Sequence, residues 1–209
     1  IHDVSDRDDY EQTTGPNGAL DAVRAARDKG QVRFIGVTGH NIEILLEAIE
    51  TGWFDTVQLA YNLANTPAAE RLLPRAAELG LGVINMKPLA GGNLLNPIEQ
   101  AEDSDAPKYD VTAPAALRFC MTNPNITVVI PGMQAISEIE ENVATAEGFT
   151  PLTDEEVERY TTMAQSLGDG FCRACNYCQP CKAEIDISGI LQTLGFRKRF
   201  QGDWDCSHR

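Results

Sequence analysis

The sequence predicts an α/β protein built on a parallel sheet, more specifically part of a (β/α)8 barrel followed by a small helical, cysteine-rich extension. Short β-branched runs alternate with helical periods between residues 17 and 147. The connections are too short for anything but right-handed crossovers between parallel strands. A doubly wound sheet would carry a Gly-rich nucleotide turn after its first strand, and no G-x-G-x-x-G stands in a strand-to-helix turn here. A barrel instead gathers its chemistry at the C-terminal ends of several strands. The strand ends read His2-Asp3, Thr38-Gly39-His40, Gln58 with Tyr61-Asn62, Lys87 and Pro131-Gly132, which favours the barrel.

The elements follow in order. Residues 17–30 place Leu20, Val23 and Ala26 at helical spacing and end on Gly30, a residue suited to a left-handed stop. "VRFIGVTG" (32–39) reads as a buried strand. Residues 41–52 repeat the helix, with Ile42, Leu45, Leu46 and Ile49 on one face and Gly52 as the stop, and 55–62 repeat the strand. Residues 68–80 form the next helix, with Pro74 limiting or kinking its first turn, and 81–88 the next strand. The helix at 112–125 has Thr112 as N-cap, an early Pro114 and a stop at Asn123-Pro124. "ITVVIPG" (126–132) is the last strand, Ser137 with Glu140 a capping box for helix 137–147, and Thr153 with Glu156 another for helix 153–166.

Composition narrows the function classes. With 209 residues and 43% apolar content, the chain can bury a substantial core. No run resembles a signal peptide or a membrane span, so a cytoplasmic protein is expected. Seventeen Lys and Arg against 31 Asp and Glu give a net charge of −14, which disfavours nucleic acid and anionic membranes as partners. The chain opens at Ile1 rather than Met and reads as if entered within a structural element, so a piece of a longer protein is expected.

"RFIGVTGHN", "VQLAYN", "MKPLAGGNLL" and "VIPGMQAISEIEEN" together resemble, in order and spacing, the fifth to eighth strand ends of the aldo-keto reductase family, and "IHDV" resembles the end of its fourth. The resemblance covers roughly residues 1–150. It implies hydride transfer between a nicotinamide cofactor, NAD(P)(H), and a small carbonyl or alcohol substrate. In the family a Tyr serves as general acid with a Lys and an Asp tuning it; these belong to strands one to three, which this chain lacks. Strands 4–8 cannot close an eight-stranded barrel, so this chain alone is expected to be inactive. His2 falls on the family's carbonyl-orienting histidine.

The resemblance also implies the cofactor contacts. Thr38 matches the hydroxyl that bonds the nicotinamide carboxamide, Gly39 stands where an Asn usually helps, and His40 either substitutes for that amide or caps the next helix. Gln58 matches a carboxamide-binding Gln, and Met86 replaces an aromatic ring that stacks on the nicotinamide. Leu89, Gly91 and Gly92 resemble the loop folded over the pyrophosphate. Glu141 and Asn142 match the adenine-holding pair, whereas Gly132 and Glu138 replace basic residues that read a 2′-phosphate. A carboxylate there repels that phosphate, so the expectation leans toward NAD(H).

"FCRACNYCQPC" holds Cys172, Cys175, Cys178 and Cys181, each separated from the next by two residues. Zinc knuckles need a longer gap between their C-x-x-C pairs. C-x-x-C-x-x-C is the way a compact loop wraps thiolates around one corner of a [4Fe–4S] cluster; Cys181 departs from the ferredoxin ending, coming after two residues and before Lys182. The stretch resembles the C-terminal extension of an aldo-keto reductase subgroup with ferredoxin-like cysteines. Cys206 is weighed as no ligand, and Cys120 as core.

The domain reading is 1–150 for the barrel part, 151–170 for a linking helix and 171–209 for the iron–sulfur segment. The function favoured is an NAD(P)-dependent oxidoreductase bearing a [4Fe–4S] cluster that either exchanges electrons with a redox partner protein or has a structural role. The alternatives are an electron-transfer protein using an inactive barrel as scaffold and a zinc-stabilised domain.

Overall fold

The computed structural model describes residues 1–4, 6–95, 110–165, 171, 172, 178, 181–191 and 193. Four strands, β1 (Gly36–Thr38), β2 (Thr56–Ala60), β3 (Gly82–Met86) and β4 (Val128–Ile130), form one parallel sheet in sequence order. The helices are α1 (Arg7–Thr14), α2 (Ala19–Asp28), α3 (Ile42–Glu50), α4 (Leu72–Glu78), α5 (Ala113–Thr122), α6 (Ile136–Glu147) and α7 (Asp154–Gln165), with short 3-10 turns at Pro67–Ala69 and Ala90–Leu95.

Residues 1–4 extend the sheet beyond β1. The Ile1 N–H donates to the Gly36 carbonyl at 2.7 Å, the Thr38 N–H to the Ile1 carbonyl at 2.9 Å, and the Val4 N–H to the Thr38 carbonyl at 2.8 Å. One residue exchanging bonds with the two neighbours of its opposite number is the parallel pattern, so this segment lies where a preceding parallel strand would lie.

The register separates two faces. Val37, Val57 and Val83 form one row on the helix side, where they are buried with Leu45, Ile49, Leu72 and Leu73 at 0–1% exposure. On the opposite face Thr38, Gln58, Ile84 and Val128 form one row and Ala60, Met86 and Ile130 the next. Most of that second face is half-exposed. The outer edge is β4, where Val128 and Ile130 are exposed, and α6 beyond it buries no residue.

Local chemistry sets most boundaries. Asn41 caps α3, its Oδ1 accepting the Glu43 and Ile44 N–H groups at 3.1 and 3.3 Å. The Thr153–Glu156 box on α7 forms in both directions, at 2.9 and 3.2 Å. Pro74 sits within the first turn of α4, where its missing N–H costs nothing.

Three expectations need correction. Of the run 32–39 only Gly36–Thr38 is strand, and Phe34, which precedes the pairing with β2 that starts at Gly36, is 65% exposed. Helix α6 begins at Ile136 and is not capped by Ser137 with Glu140; the Glu138 carboxylate accepts the Gln134 and Ala135 N–H groups at 2.6 and 3.3 Å. Helix α1 was not anticipated, since Tyr10 is its only buried residue and gives no period to read; Asp6 starts it by accepting the Asp9 N–H at 2.9 Å.

Candidate functional site

The C-terminal rim of the sheet is built by backbone bends and buried amides. Asp3, Lys87 and Ala90 all take left-handed backbone, with φ of 55°, 55° and 49°. Non-glycine residues are held there only when their surroundings dictate it, and such positions concentrate at functional sites. The surroundings here are asparagines. Asn85, fully buried in β3, accepts the Tyr61 N–H at 3.0 Å, and Asn62 donates to the Lys87 carbonyl at 2.9 Å. The Lys87 carbonyl also accepts the Ala90 N–H at 2.9 Å, which fixes the turn after β3.

Above this frame the side chains meet in pairs. The Asp3 N–H donates to Thr38 Oγ1 at 2.8 Å, so the hydroxyl uses a lone pair on the first segment and keeps its proton to give. Gln58 Nε2 lies 3.6 Å from Met86 Sδ as a weak donor. Lys87 Nζ lies 3.3 Å from His40 Nε2. Burial first, and then the Lys87 and His2 charges, push the His40 imidazole below its ordinary value, while Asp3 opposes them. His40 Nδ1 is buried with no hydrogen-bond partner.

The first segment also explains Gly39. A Cβ there would lie 2.5 Å from the Val4 carbonyl oxygen, so an Asn cannot stand at this position while residues 1–4 keep their place. The Gly39 N–H donates to the Gln58 carbonyl at 3.3 Å, which joins the His40 loop to β2.

Gly91 and Gly92 take φ of 67° and 85° in the loop that follows β3, and a Cβ at either would meet nothing within 4 Å. Their backbone conformation, and not crowding, demands glycine. The Leu89 carbonyl accepts the Gly92 N–H at 2.9 Å and the Leu94 N–H at 3.3 Å, which closes the loop on itself.

Thr38, Gly39, His40, Gln58, Met86, Leu89, Gly91 and Gly92 thus belong to one rim, with His2 in electrostatic reach of His40. Gly132 follows β4 in open space, and Glu138, Glu141 and Asn142 lie on α6. Sequence reasoning listed Lys87 only as a polar strand end and missed its pairing with His40. The signal was present in "INMKP", a polar Asn85 and a charged Lys87 around a strand terminus.

The cysteine segment touches this rim. Asn93 Nδ2, from the loop after β3, donates to the Cys172 carbonyl at 3.0 Å, and Phe171 packs into the core. Cys172 Sγ lies 3.7 Å from Ser188 Oγ. The N–H groups of Ile185 and Ala183 hold the Cys181 thiol below its ordinary value. Cys178 is half-buried, and Cys175 lies outside the described residues. Among the described residues no group of three or more His, Cys, Asp or Glu side chains is gathered as a metal site. Cys120 is buried core as expected, its thiol 3.5 Å from the Tyr61 carbonyl.

Residues 1–111 match the family model described as the aldo/keto reductase family. The chain is 28% identical over 144 residues to L-galactose dehydrogenase of Arabidopsis thaliana, an alignment covering 60% of this chain and 45% of that protein. It is also 28% identical over 126 residues to an uncharacterized oxidoreductase of Schizosaccharomyces pombe, covering 59% of this chain and 40% of the relative. The alignments thus span less than half the length of these curated relatives. Among solved structures, the aldo-keto reductase AKR11C1 from Bacillus halodurans superposes with a TM-score of 0.58 in its holo form and 0.57 in its apo form. The identity is 21%, and the holo superposition covers 72% of this chain and 56% of the other, a likeness of fold.

Proposed function

The chain belongs to the aldo/keto reductase family, and from that membership we propose that it forms the cofactor-holding side of an NAD(P)(H)-dependent oxidoreductase interconverting a small carbonyl compound and its alcohol. The observation that carries the proposal is the C-terminal end of the sheet, where Thr38 is bonded to Asp3, Gln58 to Met86, His40 to Lys87 and the Gly91-Gly92 loop to Leu89. An orphaned buried nitrogen on His40 and a left-handed glycine pair facing open space are features a bound dinucleotide would complete.

The bound nicotinamide supplies the hydride. Thr38 would give its hydroxyl proton to the carboxamide, and Gln58 would offer its side-chain amide beside it. Met86 would pack against the ring, its thioether taking the place of a flat aromatic face. Gly91 and Gly92 would let the backbone lie close to the pyrophosphate without a Cβ intervening, the Gly92 N–H being already held by the Leu89 carbonyl. Glu141 and Asn142 would hold the adenine, and His2 would orient the substrate carbonyl at the neighbouring edge. Glu138 spends one carboxylate oxygen on the start of α6, and it is a carboxylate where the resemblance implies a basic residue. That charge supports NAD(H) over NADP(H).

Binding of NADH and NADPH to the intact protein, followed by nicotinamide fluorescence, tests this reading. Micromolar NADH binding is expected, with NADPH no tighter. A preference for NADPH of about tenfold, or 1.4 kcal/mol, overturns the cofactor choice, and failure of both to bind overturns the reading.

Iron binding by Cys172, Cys175, Cys178 and Cys181 completes the proposal, and it rests on their spacing together with the amides directed at the Cys181 sulfur. The described thiols do not by themselves make a metal site, so no step of the reaction is assigned to a cluster. Anaerobic purification with iron and zinc analysis decides the matter. Stoichiometric iron with broad absorbance supports a cluster; zinc, or no metal, removes it.

A further inference from the structure

We propose that Lys87 locks His40 as the neutral Nδ1–H tautomer, and that this buried N–H is the donor for a carbonyl-type oxygen of the ligand that binds on the rim. A lysine ammonium has only protons to give. With Lys87 Nζ 3.3 Å from His40 Nε2, that ring nitrogen must be the acceptor, so it carries no proton. The remaining proton of a neutral imidazole is then on Nδ1.

Nδ1 is buried and has no partner among the described residues. A buried N–H left unmatched is costly and uncommon, and the matching group it lacks is an acceptor. A cation is excluded as the missing partner, because the proton is already in place on Nδ1. A carbonyl-type oxygen supplies the acceptor with no further charge to bury. The charged groups facing the ring are Lys87, from the end of β3, and His2 and Asp3, from the segment beside β1. Lys87 and His2 both oppose a second proton on the ring, and burial opposes it further; Asp3 alone favours it.

The backbone supports a built arrangement. Lys87 and Asp3 both occupy left-handed backbone, and the carbonyl of Lys87 is held by Asn62 and Ala90. The Gly39 N–H fixes the start of the His40 loop on β2. The pair is therefore set by the sheet and not by a free loop. On the nicotinamide reading, on which this assignment rests, the acceptor is the carboxamide oxygen, and His40 becomes a positioning residue for the ring that carries the hydride.

Two measurements on the intact protein test it. In the ligand-free protein, the 15N shifts of His40 should report a protonated Nδ1 and a bare Nε2 at pH 7, and Lys87→Met should mix the tautomers. An Nε2–H ring in the wild type overturns the lock. With NADH as probe, His40→Phe should weaken binding about tenfold or more, and His40→Asn, whose amide can place an N–H near the Nδ1 position, should recover most of the loss, while His40→Gln should not. The thionicotinamide analogue, whose sulfur is a poor acceptor, should bind the wild type more weakly than NADH, and that difference should shrink in His40→Phe. Circular dichroism of each variant separates misfolding from lost binding. Wild-type binding of NADH that is unchanged in His40→Phe overturns the hydrogen bond alone. If the wild type binds no nicotinamide at all, the cofactor reading falls and takes the carboxamide assignment with it, whatever the tautomer.

Discussion

Placing at Gly39 the asparagine that the family resemblance leads one to expect there should damage the protein. The Cβ of Gly39→Asn would lie 2.5 Å from the Val4 carbonyl oxygen, about 1 Å inside ordinary contact, and 3.3 Å from the Leu45 side chain. The obstacle is backbone, which cannot rotate away. Relief requires the Ile1–Val4 segment to lift from β1, which breaks the Thr38-to-Ile1 and Val4-to-Thr38 hydrogen bonds. Lifting costs about 2 kcal/mol at about 1 kcal/mol for each bond, and overpacking costs about 1–3 kcal/mol if the segment stays, so the loss is about 1–3 kcal/mol either way. Urea unfolding followed by far-UV circular dichroism measures it as a lowered midpoint at constant slope. Nicotinamide binding should weaken as well, because lifting the segment withdraws the Asp3 N–H from Thr38 Oγ1. A Gly39→Asn protein with an unchanged midpoint and tighter NADH binding would show that residues 1–4 do not sit on β1, and the reasoning would fail with it.

Further outcomes follow from burial and titration. His40 is held below its ordinary value of 6.5 in the fold, so below that pH the unfolded chain takes up a proton that the fold resists. Stability should therefore decline as pH falls through the region just under 6.5, and His40→Phe should flatten that part of the profile in pH-dependent denaturation. Leu73→Ala removes a fully buried side chain between α4 and the sheet and should cost about 2–5 kcal/mol by the same unfolding assay. Burial pushes the Cys120 thiol up to about 12, so iodoacetamide at pH 8 should leave it unlabelled in the native protein and label it in urea, read by peptide mass spectrometry. Thr153→Ala removes the hydroxyl that receives the Glu156 N–H and should cost about 1 kcal/mol.

The parallel sheet was legible because its signals are local. Val57 and Leu59, or Val83 and its neighbours, stand between helical periods that end on Gly30, Gly52 and Gly80, all of which take left-handed φ near 70°. The caps at Thr112 and Thr153 were readable for the same reason, a side chain bonding within three residues, whereas α3 is capped by Asn41 and not by His40. The start of α6 was not, since Ser137 and Glu138 offer competing caps one residue apart and only the fold selects Glu138. Within the site, single residues such as Thr38 and Gln58 could be named from strand ends. Their pairing could not, because the contact of His40 with Lys87 spans 47 positions and depends on two left-handed residues that the sequence does not announce. The same holds for Asn93 and Cys172, which lie 79 positions apart.

The outer edge of β4 bears on how the chain behaves in a tube. Its exposed Val128 and Ile130 are followed in the chain by a helix whose Ile136, Ile139 and Val143 are also exposed, and among the described residues β4 pairs with β3 alone. An unprotected parallel edge is a template for adding strands from another copy. The charge of −14 opposes such pairing, and that repulsion reaches only about 8 Å at 0.15 M salt. Dilute buffer should hold the chain monodisperse, and added salt should drive it into aggregates well before it unfolds.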